Sequence, residues 1–267
     1  MALSINYRLQ QLANDYYISS SSPENTKILS SVTNLKTKLR SHFGNDIKVT
    51  EEFGSYKRDT ILPRFYDENS DVDLMIIFNH SVINVNPSTY RKRLHEFADK
   101  YYPSSEAYKS KPTVVLQLNH IKYDLVPAYQ EFSSWSGTTT YIPESDTAWM
   151  TTDPHGFNKE LSEKNKNNNS NIKPVIRLLK AWNAKVGYPI ESYSLEKEIV
   201  SQTYWGANTL EEYFFSAIDG LSIYANGRFL RRPKLEALKD NASRVKSALQ
   251  SNNLTGALLW LGHILPL

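Results

Sequence analysis

Cysteine is absent from the 267-residue chain, which excludes disulfides, thiolate metal sites and cysteine nucleophiles together. No apolar run is long enough to cross a bilayer, and the opening Met1-Ala2-Leu3-Ser4-Ile5-Asn6 lacks the hydrophobic region of a secretory signal. The expectation is a cytoplasmic protein without a membrane partner. Excess charge of one sign is also scarce. A formal net charge of +3 is too small to announce a nucleic-acid binder, although local basic clusters can still hold triphosphates. The six His show neither zinc-site spacing nor an H-E-x-x-H pattern, so each reads as structural or exposed. Chain order gives no Ser-His-Asp arrangement, and no internal repeat is visible. What remains is an ordinary globular composition, 40% hydrophobic and 22% charged, with length for one large domain or two lobes.

One stretch organises the rest. Phe53-Gly54-Ser55-Tyr56-Lys57-Arg58-Asp59-Thr60 is followed, after a loop, by Asn69-Ser70-Asp71-Val72-Asp73-Leu74-Met75-Ile76-Ile77-Phe78. The second segment reads as a buried strand entered through a polar turn. Side chains alternate along a strand, so Asp71 and Asp73 face one side, about 7 Å apart, with Val72 on the other. Two carboxylates at the mouth of an apolar strand repel each other unless a cation lies between them. The competing reading is a solvated strand end. Gly54 lets the backbone approach a ligand, and Ser55 adds a hydroxyl able to bond phosphate oxygens.

Helical spacing is expected over 4–18 and 24–43, the second started by Pro23 and long enough to back a sheet. Residues 47–53 read as a strand, Ser88 to Lys100 as a helix, and 113–118 and 121–128 as strands joined by a hairpin turn at Asn119-His120. A carboxylate at Asp124, between Tyr123 and Leu125, is costly to bury alone. Beside Asp71 and Asp73 it completes a three-carboxylate site; as an edge-strand residue it simply faces water. Residues 129–157 read as loop-rich, and the chain is helical thereafter, with Asn165–Asn171 a helix–helix loop. On the helix from Ile172 to Val186, Arg177 and Lys180 lie three apart on one face, exposed enough that truncating Lys180 costs little. Ser192 is placed as the N-cap of the next helix. For Tyr193, plain packing stays open. Arg228, Arg231, Arg232 and Lys234 form a basic loop, at the surface or lining a cleft.

Gly54-Ser55 followed by Asp71-Val72-Asp73 resembles the signature of the DNA polymerase β-like nucleotidyltransferases. The fuller Gly-Ser-Tyr-Lys-Arg-Asp-Thr resembles the bacterial cyclic-oligonucleotide synthases (CD-NTases), relatives of cyclic GMP-AMP synthase and 2′-5′-oligoadenylate synthetase. Tyr123-Asp124-Leu125-Val126-Pro127-Ala128 is similar to the family's third-aspartate strand. Trp149…Thr152-Asp153-Pro154-His155 is similar to its crossing segment between core and helical lobe. Ile176 to Trp182 resembles the synthetase helix whose lysine grips the donor triphosphate.

The resemblance implies an α+β fold: a mixed sheet with flanking helices over 1–150, then a helical lobe over 151–267, with the active site in the cleft between. It implies two Mg²⁺ ions, replaceable by Mn²⁺, held by Asp71, Asp73 and Asp124, with Asp124 also accepting the attacking hydroxyl's proton. Gly54, Ser55, Lys180, Ser192 and Tyr193 would bind the donor nucleotide, Tyr193 by stacking on its base. Lys57, Arg58 and Arg177 are acceptor-side candidates. The implied partners are NTPs, ATP first among them, and an effector that senses the product in antiphage (CBASS-type) signalling. The chain departs from the family at Asp59, where glycine is common, and shows no zinc insertion or basic platform, which argues against activation by nucleic acid. The alternatives are a template-independent RNA or tRNA 3′-end nucleotidyltransferase, a linear oligoadenylate synthetase, or a silent nucleotide-binding module.

Overall fold

The structure is a computed structural model and describes residues 4–79, 86–110, 113–135, 137–222 and 231–266. The chain packs as two compact units that exchange segments: Ser19–Asp59 with Asn69–Asn158, and Met1–Ile18 with Thr60–Glu68 and Lys159–Leu267. In this division the first helix and residues 60–68 group with the helical unit.

The first of these units holds a sheet of strands β1 (Ile47–Phe53), β2 (Asp71–Phe78), β3 (Glu106–Ser110), β4 (Thr113–Gln117), β5 (Lys122–Ser133), β6 (Gly137–Pro143) and β7 (Trp149–Thr152). The order is β1-β2-β5-β4-β3, with β6 continuing from β5 and β7 from β6. β2 and β5 run parallel; the other pairs are antiparallel. This is the mixed sheet the sequence implied. Residues 129–157 are the exception to the reading, since β5 extends to Ser133 and β6 and β7 fill the supposed loop region. The Ser-rich stretch at 133–136 disguised them, although Thr138, Thr139 and Thr140 are β-branched residues suited to a pleated strand.

Two helices back the sheet, α2 (Pro23–Phe43) and α4 (Pro87–Tyr101). Ser22 caps α2 by accepting from the Asn25 amide at 3.1 Å, with Pro23 opening its first turn as expected. Phe43 and Tyr90 meet Phe78 of β2 edge-on at 5.4 and 4.7 Å. Tyr123 donates from beneath β5 to the Ile28 carbonyl at 3.3 Å. Met75, Ile77 and Ala128 form a second cluster, with Phe53 and Ile142 packed against it. β2 is thus apolar on both faces along most of its length, as its unbroken hydrophobic run requires. The polar exceptions lie at its first turn of chain.

In the helical unit, α1 (Ile5–Asp15) buries Ile5, Leu9, Leu12 and Ala13. After β1 comes the short α3 (Gly54–Lys57) of the sheet unit, while α5 (Pro154–Lys166) carries the chain from one unit into the other. The helical unit continues with α6 (Ile172–Lys185), α7 (Ser192–Ser201), α8 (Leu210–Gly220), α9 (Arg231–Gln250) and α10 (Leu254–Ile264). α8 opens with a reciprocal capping box between Thr209 and Glu212. The expected basic loop is corrected: Arg231, Arg232 and Lys234 are helical, Arg231 is buried, and Arg228 lies outside the described residues. No described helix is long and apolar enough to cross a membrane.

Candidate active site

Parallel pairing of β2 with β5 sets the carboxylates. Asp73 is the register partner of Asp124, and Asp71 that of Lys122. Paired residues on neighbouring strands face the same way, so Asp71, Asp73 and Asp124 share one face while Val72 is fully buried on the other. The edge-strand reading of Asp124 fails, because β5 lies between β2 and β4.

Sequence reasoning missed two neighbours. Lys122 Nζ lies 3.5 Å from Asp71 Oδ2, and the Thr113 hydroxyl donates to Asp124 Oδ2 at 3.4 Å. Alternation alone could have found Lys122, which precedes Asp124 by two residues and shares its face. Asp124 Oδ1 is buried with no hydrogen-bond partner. Burial first, and then the Asp71 charge, push the Asp124 carboxyl from 3.8 up to about 6, against the opposing pull of Lys122 and Thr113.

Among the described residues no three His, Cys, Asp or Glu groups form a ready-made metal-ligand cluster. The donor chemistry nonetheless fits a divalent cation: hard carboxylate oxygens on one face, with an orphaned buried oxygen among them. A cation there would supply the partner that Asp124 Oδ1 lacks.

The raised value predicts a pH dependence. A carboxyl whose folded pKa exceeds its unfolded one stabilises the protein below about pH 4, and that contribution is lost as pH rises through about 6. Metal-free Asp124→Asn is expected to be more stable than the parent at pH 7.5, by about 1–3 kcal/mol, with the gap closing below pH 5. Urea unfolding in chelator at the two pH values checks this; a gap independent of pH would refute it.

Gly54 begins α3 at φ +68°, and a Cβ added there would lie 1.7 Å from Asp73 Oδ2. Glycine is needed both for the left-handed backbone and for the close approach of the carboxylate. Ser55 is half-buried beside it, and the Tyr56 hydroxyl donates to Asn25 Oδ1 at 2.8 Å, fixing the turn to α2. Lys57 is exposed. Arg58 is buried, its guanidinium 5.3 Å from the Phe157 ring centre. Asp59 has φ +60°: the turn needs a left-handed residue, and aspartate is among those that tolerate it.

The helical unit carries the other candidates. Lys180 is buried, not exposed as its helical position suggested, and its Nζ lies 3.4 Å from Glu196 Oε1. Truncating it would remove the cation facing a buried glutamate, a change that costs several kcal/mol rather than little. Thr60 donates to the same Oε1 at 2.9 Å. Arg177 donates to the Ala13 carbonyl at 3.3 Å and lies 4.6 Å from the Tyr17 ring centre, tying α6 to the N-terminal segment. Ser192 is the first residue of α7 rather than its cap. Glu191 caps instead, accepting from the Tyr193 and Ser194 amides at 3.0 and 2.7 Å. A carboxylate takes the same free N–H groups with a full negative charge, so it outcompetes a serine hydroxyl. Tyr193 is 42% exposed, with Lys197 Nζ 5.6 Å from its ring centre.

Residues 3–165 match the family model described as the Second Messenger Oligonucleotide or Dinucleotide Synthetase domain. A probable cyclic nucleotide synthase of Bacillus cereus (strain VD146) is 28% identical over 130 residues, 46% of this chain and 39% of that protein. A cyclic AMP-AMP-AMP synthase of Acinetobacter sp. is 28% identical over 134 residues, 48% of this chain and 37% of that protein. The matches thus span about two-fifths of the length of these curated relatives. Among solved structures, E. coli MS115-1 CdnC with ATP superposes with a TM-score of 0.70 at 13% identity, covering 98% of this chain and 97% of that one. At that identity the likeness establishes the fold, which is the polymerase β-like α+β arrangement.

Proposed function

Because the chain belongs to the Second Messenger Oligonucleotide or Dinucleotide Synthetase family, we propose that it is a nucleotidyltransferase joining NTPs into a cyclic di- or oligonucleotide. The observation that carries this reading is the Asp73–Asp124 register beside Gly54, with one Asp124 oxygen left over. Asp71, Asp73 and Asp124 would hold divalent cations, two Mg²⁺ with Mn²⁺ as substitute. When bound, such ions supply positive charge that acidifies the attacking hydroxyl and stabilises the pyrophosphate leaving group. Asp124 accepts the ribose hydroxyl proton. The Ser55 hydroxyl, the Ser192 hydroxyl and the Lys180 ammonium meet triphosphate oxygens, which carry the charge that grows on pyrophosphate release. Tyr193 stacks on the donor base. On the acceptor side Lys57 is the exposed cation, since Arg58 and Arg177 are held by Phe157 and by Ala13 with Tyr17.

ATP is the first substrate to try. The product would act in the cytoplasm on an effector in antiphage (CBASS-type) signalling. Incubation with the four labelled NTPs and Mg²⁺ or Mn²⁺, followed by phosphatase and mass spectrometry, tests the reading. A phosphatase-resistant product without a 5′-phosphate is expected. A linear product with an intact 5′-triphosphate, or nucleotides added to the 3′ end of supplied tRNA, would overturn it.

A further inference from the structure

The proposed reading uses Lys180 but leaves its two buried companions without a task. The Lys180 side chain is 7% exposed and the Glu196 side chain 1%. A buried ion pair is weak ground for stability, because apolar residues of similar volume fill such a place as well or better. This pair is also loose at 3.4 Å, and Glu196 is the one hydrogen-bond partner of the ammonium among the described residues. An ammonium has three donors. Two are left for something else, in a place where water has little access.

The placement on α7 suggests what that is. Ser192 and Glu196 are four apart, on one face of the helix, and helical side chains tilt toward the N-terminus. Glu196 therefore leans toward the first turn of α7, the turn that carries Ser192. Thr60 is fully buried and donates at 2.9 Å to the same Oε1 that Lys180 meets, so the accepting oxygen is held from a second side.

We propose that Glu196, braced by Thr60, is a positioning residue that keeps the Lys180 side chain aimed at the triphosphate of the donor nucleotide. The inference rests on the reading of Lys180 as a phosphate contact. Glu196 touches no substrate. Its carboxylate fixes the direction of the Lys180 side chain before the nucleotide arrives.

Calorimetry on the full chain, with a non-hydrolysable ATP analogue and with adenosine, tests both layers separately. Lys180→Met is expected to weaken the analogue and leave adenosine unchanged. Glu196→Gln is expected to weaken the analogue about tenfold, again sparing adenosine, and to add nothing in the Lys180→Met background. Thr60→Val should follow the same pattern at about threefold, and it decides the matter if Glu196→Gln does not fold. Unchanged analogue binding in Lys180→Met would remove the phosphate reading itself. A weakened Lys180→Met beside normal Glu196→Gln and Thr60→Val variants would remove only the positioning role. Equal losses for analogue and adenosine, or a Glu196 effect that persists without Lys180, would mean that Glu196 acts through the fold and would overturn the proposal.

Discussion

Replacing Asp71 and Asp73 together by Asn is expected to abolish product while leaving the metal-free protein folded and no less stable. The two carboxylates face the Asp124 side of the sheet, and the Asp71 charge helps push Asp124 upward. Neutralising them relieves that repulsion, and the Asp124 carboxyl should titrate closer to its ordinary range. The same change removes two of three donors for a divalent cation. Loss of several kcal/mol of transition-state stabilisation corresponds to about three orders of magnitude in rate or more. Product formation measured beside thermal unfolding in chelator separates the two effects. Turnover near that of the parent would end the assignment of this face as the reacting centre.

Gly54→Ala should be nearly as damaging to activity, for a different reason. The new methyl carbon would start 1.7 Å from Asp73 Oδ2, so either the carboxylate or the turn must move. The backbone at φ +68° adds about 1–2 kcal/mol for any residue with a Cβ. A fall in melting temperature of about 2–8 °C is expected, together with a loss of product out of proportion to it. A variant that melts lower but keeps full activity would show that Asp73 does not need its present position. No larger side chain at Gly54 should rescue what alanine loses.

The carboxylate face was legible in the sequence because local pattern determines it. Alternation put Asp71 and Asp73 on one side, and an apolar strand carrying a lone Asp124 asked for an adjacent partner. Other features depend on the identity of a distant neighbour, which periodicity does not encode. The helical pattern put Arg177 and Lys180 on a common face but gave no sign that both are buried, one against Ala13 and Tyr17, the other against Glu196. Ser192 resembled a cap by residue type, yet Glu191 one position earlier bonds two amides at once. β6 and β7 were hidden by Ser and Thr, which serve turns and strand edges equally well. The left-handed backbone at Asp59 left no mark in the sequence and is seen only in the structure.

The exchange of segments between the units also sets a timetable. α1 buries Ile5, Leu9, Leu12 and Ala13, but the groups that hold its segment lie far along the chain. Arg177 reaches the Ala13 carbonyl across 164 residues, Asn6 accepts from the Glu211 amide across 205, and Tyr16 donates to the Pro266 carbonyl across 250. At about 5–20 residues per second, a ribosome needs roughly 10–50 s to travel from Tyr16 to Pro266. Early in that interval the sheet unit can close on itself, since its last strand ends at Thr152, while the apolar stripe of α1 waits for α6 and α8. α1 is made well before the helices that cover it.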